Sequence, residues 1–174
     1  MTTTFFKHLL QLFLLLVLQV FIFNNVQIFG YATPMICIYL ILQMSLATPH
    51  WQVLLWAFVI GILEDIFTNT PGMSAASLTF IALIQPSMLK LLASKDFVEN
   101  EECPEPSAQN MRWWPFIRYV FICILIEQAL FYIIEAFNFF NYNELLINIG
   151  GGTITSLLII IAMECIRPKK ASKQ

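Results

Sequence analysis

Charge is what this chain has least of. Of 174 residues, nine are Lys or Arg and eleven are Asp or Glu, 11% in all, while 59% are hydrophobic. A soluble domain is about a quarter charged, so twenty charges cannot cover a water-soluble globule of this size. That excludes a soluble enzyme and a disordered chain. The lack of a basic face excludes a nucleic-acid binder. Histidine is scarce as well: His8 and His50 are the only two. Neither stands in a His-Glu-x-x-His pattern, and the chain has no P-loop and no Gly-x-Gly-x-x-Gly. The four cysteines, Cys37, Cys103, Cys123 and Cys165, have neither metal nor redox spacing. Nothing calls for a cofactor or a metal, and the chain reads as non-catalytic.

What is present is apolar sequence in long runs. A membrane helix needs about 20 mostly apolar residues, and six segments compete for that role: Phe5–Phe23, Tyr31–Ala47, Trp51–Phe67, Ala75–Leu92, Pro115–Phe137 and Leu145–Ile166. Asn24-Asn25, Gly30, Thr48-Pro49, Asn69 to Gly72 and Asn138 to Asn143 punctuate them. The expected fold is an all-α integral membrane protein, a bundle of about six transmembrane helices forming one polytopic domain over residues 1–174. Lys7 and the apolar run after it resemble a signal peptide, but the run is long enough to span and is read as an uncleaved first helix. The second segment, about 17 residues or roughly 25 Å of helix, is short enough to be re-entrant, which would leave five spans.

Lys and Arg set the orientation of such a chain. With six spans and the N-terminus inside, all nine cations face the cytoplasm. Lys7 precedes the first span. Lys90, Lys95, Arg112 and Arg118 flank or occupy a 93–114 loop, and Arg167, Lys169, Lys170 and Lys173 lie in a basic tail at 167–174. The outer connections carry none. Two prolines and five acids between Lys95 and Pro106 predict that the loop is irregular and solvated.

Acids within spans are the informative residues, because a charge at mid-bilayer costs about 2.5–3.5 kcal/mol on insertion scales. Glu64 and Asp65 lie near the outer end of the third span, where water is expected to reach them. Glu127 lies near the middle of the fifth, and requires a protonated carboxyl or a hydrogen-bonding partner on another helix. Glu135 follows two turns later. Gly72-Met73-Ser74-Ala75 faintly resembles the Gly-x-Ser-Gly of intramembrane serine proteases, but no histidine lies at that depth to act as base. Ser74 is expected instead to N-cap the fourth span. Gly150-Gly151-Gly152 opens the sixth. Gly151 with Thr155, Gly152 with Ser156 and Ala57 with Gly61 are small-x-x-x-small pairs, suited to close helix packing or, less often, to a homodimer seam.

Gly61-Ile62-Leu63-Glu64-Asp65-Ile66-Phe67, followed by Asn69-Thr70-Pro71-Gly72 and the small residues Ser74-Ala75-Ala76, resembles the G-x-x-x-D…G signature of the rod shape-determining MreD family. Pro34, Pro86 and the Phe-rich stretch ending Glu135-Ala136-Phe137 are similar to that family too. The chain departs from its pattern at Gln85, where an Arg is expected before Pro86, at Glu64, a second acid beside Asp65, and at Pro71. The resemblance implies a non-catalytic subunit of the bacterial cell-elongation machinery in the inner membrane. It implies partnership with a single-span MreC-like protein, and through it with an MreB-like filament and peptidoglycan synthases. The implied motif residues are Gly61, Glu64, Asp65 and Gly72, with Glu127 and Glu135 beside them. It also implies a fold like the six-helix substrate-binding subunits of vitamin importers. A small-molecule-binding importer subunit is accordingly the alternative function, with Glu64, Asp65, Tyr142 and Asn143 as candidate pocket groups.

Overall fold

A computed structural model describes residues 35–93, 97, 105–135 and 142–167. The first apolar segment, Phe5–Phe23, and the tail beyond Arg167 lie outside them. Among the described residues six helices follow in order: α1 (Ile38–Leu42), α2 (His50–Thr68), α3 (Met73–Leu92), α4 (Ala108–Met111), α5 (Trp113–Glu135) and α6 (Tyr142–Ile166). No strand occurs among the described residues. α2, α3 and α5, together with Leu145–Ile166 of α6, are long and apolar enough to cross a bilayer. The chain is an all-α, multi-pass membrane protein.

Punctuation residues set the helix ends. Pro49, in extended conformation, precedes α2, and Asn69 ends it in the left-handed region at φ 58°. Gly72, at φ 84°, enters α3 with the same handedness. Pro115 falls in the first turn of α5, where no intrahelical N–H bond is lost. Pro86 lies inside α3 without ending it. α3 is the central helix: it packs on α2 and on α5, and α6 packs on α5. Phe116, Tyr119, Ile60, Leu78, Ile81 and Leu89 fill the interior. The outward faces carry Phe58, Ile62, Phe80, Leu125, Ile154 and Leu158, all exposed. Such a surface suits hydrocarbon and would aggregate in water.

The second apolar segment takes a form its hydropathy does not reveal. Among its described residues only five, Ile38–Leu42, are helical, about 7.5 Å of rise, and that helix cannot cross a bilayer. Every residue from Met35 to Met44 is buried. Non-helical backbone at membrane depth survives only where protein surrounds it and satisfies its polar groups. Here Met35 donates its N–H to Ser156 Oγ at 2.9 Å, Gln85 Nε2 donates to the Met44 carbonyl at 3.0 Å, and the Tyr119 hydroxyl to the Leu42 carbonyl at 3.4 Å. Gln85, one of the departures noted above, thus closes the backbone of the buried segment.

The 93–114 loop is not wholly solvated. Phe97, Pro106, Ser107, Ala108 and Met111 are buried, and Ser107 caps α4 by accepting from the Asn110 N–H. The apolar residues among them dock against the bundle, which offsets the hydration expected from the loop's acids. The glycine triplet does not open the sixth helix but lies inside it, since α6 begins at Tyr142.

Candidate functional site: three polar clusters in an apolar bundle

The first cluster is built on Asp65. Its Oδ1 accepts from Thr70 Oγ1 at 3.0 Å and from the Ser74 N–H at 2.9 Å; its Oδ2 accepts from the N–H groups of Gly72 at 3.0 Å and Ala75 at 3.1 Å. The carboxylate of one helix thereby caps the next. The first N–H groups of α3 have no intrahelical acceptor, and a negative charge there also meets the positive end of the helix dipole. This corrects two expectations. Asp65 and Glu64 are largely shut off from water: they are 7% and 2% exposed, Asp65 because the 69–72 turn and the start of α3 fold over it. Ser74 is not the N-cap: Gly72 holds that position without a side chain to offer, Asp65 supplies the acceptor, and Ser74 Oγ is buried with no hydrogen-bond partner among the described residues.

Gly61 makes this cap reachable. A Cβ at Gly61 would lie 2.4 Å from Ala75 Cα and 2.7 Å from its N, so only glycine lets α2 come this close to the start of α3. Ala57, one turn earlier, is also fully buried, and this small-x-x-x-small pair serves internal packing. Gly61, Asp65 and Gly72 therefore form one unit: close approach, cap and left-handed turn. Beside it runs an open groove of about 460 Å³ lined by Phe58, Ile62, Asp65, Pro71, Gly72 and Ala75. A second of about 470 Å³ continues along α3 to Thr79, Phe80 and Leu83.

The second cluster lies deep in the bundle. Glu127 of α5 is 1% exposed, and its Oε2 has no hydrogen-bond partner among the described residues. Glu64 of α2 is buried as well, at 2% exposed. Cys37, just before α1, and Cys123, one turn before Glu127, are buried too. Gln128, also fully buried, lies against Gly152 of α6, where an added Cβ would meet its amide at 2.8 Å. Gly152 and Ser156 of the sixth helix thus face inward. Glu135 joins neither cluster; it is exposed.

The third cluster was not foreseen. Glu164, near the end of α6 and 3% exposed, accepts from the Tyr39 hydroxyl and, at 3.0 Å, from the Ala108 N–H that opens α4. Arg167 Nη1 stands 3.8 Å from it, and Arg167 Nη2 bonds Glu105 Oε2 at 2.7 Å. Glu164 ties α6, the buried segment and the second half of the loop into one knot. The sequence signal was an acid three residues before a basic helix end. It gave no hint that a tyrosine 125 residues away would complete the site.

Among the described residues no group of His, Cys, Asp and Glu is arranged to hold a metal ion. No protein-family model matches the chain, and neither a curated protein nor a solved structure matches it. The fold and the three clusters define it as a multi-pass helical membrane protein with polar clusters buried in an apolar interior.

Proposed function

We propose that this chain is an MreD-like, non-catalytic subunit of a bacterial rod-shape complex in the inner membrane, with both termini in the cytoplasm. In this role it docks the single transmembrane helix of an MreC-like partner and so helps direct lateral peptidoglycan synthesis. The observation that carries the reading is the unit formed by Gly61, Asp65 and Gly72. These are the residues of the G-x-x-x-D…G signature, and each has a distinct physical task in one turn. The α2–α3 face beside that turn offers a small-residue floor at Gly72, Ala75 and Ala76 between walls of Phe58, Ile62 and Phe80, a surface on which a helix can pack closely. The 93–114 loop and the basic tail would meet the filament side and anionic lipid, where each cation contributes about 1 kcal/mol.

Copurification in mild detergent tests this. A tagged copy is expected to bring down an MreC-like single-span protein, and depletion of the chain is expected to turn rods into spheres. Rods that stay rod-shaped with no such partner recovered would refute the reading. A small molecule retained in native mass spectrometry would favour the importer subunit instead.

A further inference from the structure

The two grooves on the α2–α3 face share Phe58, Gly72 and Ala75, so they form one trough. Between Gly72 and Leu83 it follows α3 for about 16 Å. Its floor holds two overlapping small-x-x-x-small pairs, Gly72 with Ala76 and Ala75 with Thr79.

One end of the trough is charged. Asp65, one turn before the end of α2, lines it beside the 69–72 turn. All four of its hydrogen bonds come from neutral donors, three of them backbone N–H groups. Such donors stabilise a carboxylate but leave its net charge in place. Among the described residues no ion pair reaches it. The chain has no Lys or Arg between residues 8 and 89, and Lys90 lies in the last turn of α3, about 22 Å from Ala75. A charge set among apolar side chains is poorly screened and acts strongly on whatever packs beside it.

That charge selects among the occupants of the trough. A second copy of the chain would bring Asp65 against Asp65 across a two-fold contact, like charge on like. An acyl chain has no use for a floor of small residues. A transmembrane helix uses both features. Its backbone can approach the small residues closely, and a Lys or Arg near its end can run its apolar stem along the wall to the carboxylate.

We infer that the trough seats a partner's transmembrane helix that carries a Lys or Arg at the end lying beside the 69–72 turn, where the cation faces Asp65. This rests on the docking reading above and adds the chemistry that the partner must have. In the orientation proposed there the cation stands on the periplasmic side, an uncommon place because basic residues resist translocation, and so it distinguishes the partner. Asp65 then acts twice: its hydrogen bonds hold the turn, and its charge chooses the helix.

Photo-crosslinking in cells tests this, with benzoylphenylalanine placed at Ala76 or at Phe80 of the full-length chain. Leu158, exposed on α6, is the control position. The expected adduct at both trough positions, and not at the control, is one single-span protein with a Lys or Arg at the periplasmic end of its helix. Changing that residue to Gln should lower recovery of the partner in mild detergent about tenfold. Ala76→Trp, at an exposed site, should lower it as far without changing the melting temperature, and Leu158→Trp should leave it unchanged. A lipid adduct alone, or one with a second copy of the chain, overturns the proposal. A partner that lacks the cation, or whose recovery ignores the change to Gln, also overturns it while the docking reading stands. A partner recovered as well by Ala76→Trp as by the wild type moves the contact to another face. Recovery of no single-span protein at all defeats both readings.

Discussion

At the scale of single residues, the 69–72 turn depends on two residues that act in opposite ways, Asp65 by its oxygens and Gly61 by having no side chain. Asp65→Asn keeps the volume but replaces two anionic acceptors with one carbonyl oxygen, and aims an NH2 group at N–H donors. Hydrogen bonds to charged groups contribute about 1.5–3 kcal/mol each, so the variant is expected to lose about 2–4 kcal/mol, read as a lowered unfolding midpoint in detergent. Glu135→Gln, at an exposed site, is the control and should change nothing measurable. Gly61 and Gly150 make a sharper pair. A Cβ at Gly61 runs into the backbone of Ala75, whereas one at Gly150 meets nothing within 4 Å. Gly61→Ala must therefore push two helices apart, at about 1–3 kcal/mol. Gly150→Ala, within α6, should gain about 0.5–1 kcal/mol from helix propensity alone. Equal effects from the two alanines would show that the α2–α3 contact is looser than the geometry states.

At the scale of elements, hydropathy and punctuation made the four long helices legible. The expected spans Trp51–Phe67, Ala75–Leu92, Pro115–Phe137 and Leu145–Ile166 differ by three residues or fewer at either end from α2, α3, α5 and α6. The segment 35–44 was not legible in the same way. Hydropathy measures how willingly a residue leaves water, not whether lipid or protein receives it, so a fully enclosed stretch looks like a span. The polar clusters were half legible. The burden of Glu127 was visible because charge is expensive in mid-span. The burial of Glu64 was hidden, because enclosure by residues distant in sequence leaves no local pattern. Glu164 was missed for the same reason, and it makes the clearest element-scale prediction. Its carboxylate holds the first N–H of α4 and the Tyr39 hydroxyl. Glu164→Ala should release residues 105–111 from the bundle while leaving α2 and α3 in place. The loss of about 1–3 kcal/mol corresponds to roughly tenfold or faster hydrogen exchange at Ala108 and Met111. Exchange unchanged there, or increased equally in α3, would mean that the loop is held by its apolar contacts alone.

At the scale of the whole molecule, the arrangement of charge argues for a fixed direction in the membrane. The described cations Lys90, Arg112, Arg118 and Arg167 lie at or near the α3–α5 junction and the end of α6, and Glu164 with Glu105 binds these parts together at that end. The opposite end, at the 69–72 turn, carries no Lys or Arg and is closed by the buried Asp65. Because basic residues resist translocation, the end with the cations is expected to stay in the cytoplasm. Trp51, Trp113 and Trp114, all exposed near that same end, are suited to the headgroup layer there. Reporter fusions after residues 70, 103 and 174 test the direction directly. A periplasm-active reporter should be active at 70 and silent at 103 and 174, and a cytoplasm-active one should give the reverse. Moving the charge provides the stronger check. Two lysines placed in the 69–72 turn, with Arg112 and Arg118 neutralised, should produce a mixed population in which all three fusions are partly active. A chain that kept one orientation under that change would owe its direction to something other than its cations, and the proposed placement of the 93–114 loop in the cytoplasm would lose its physical basis.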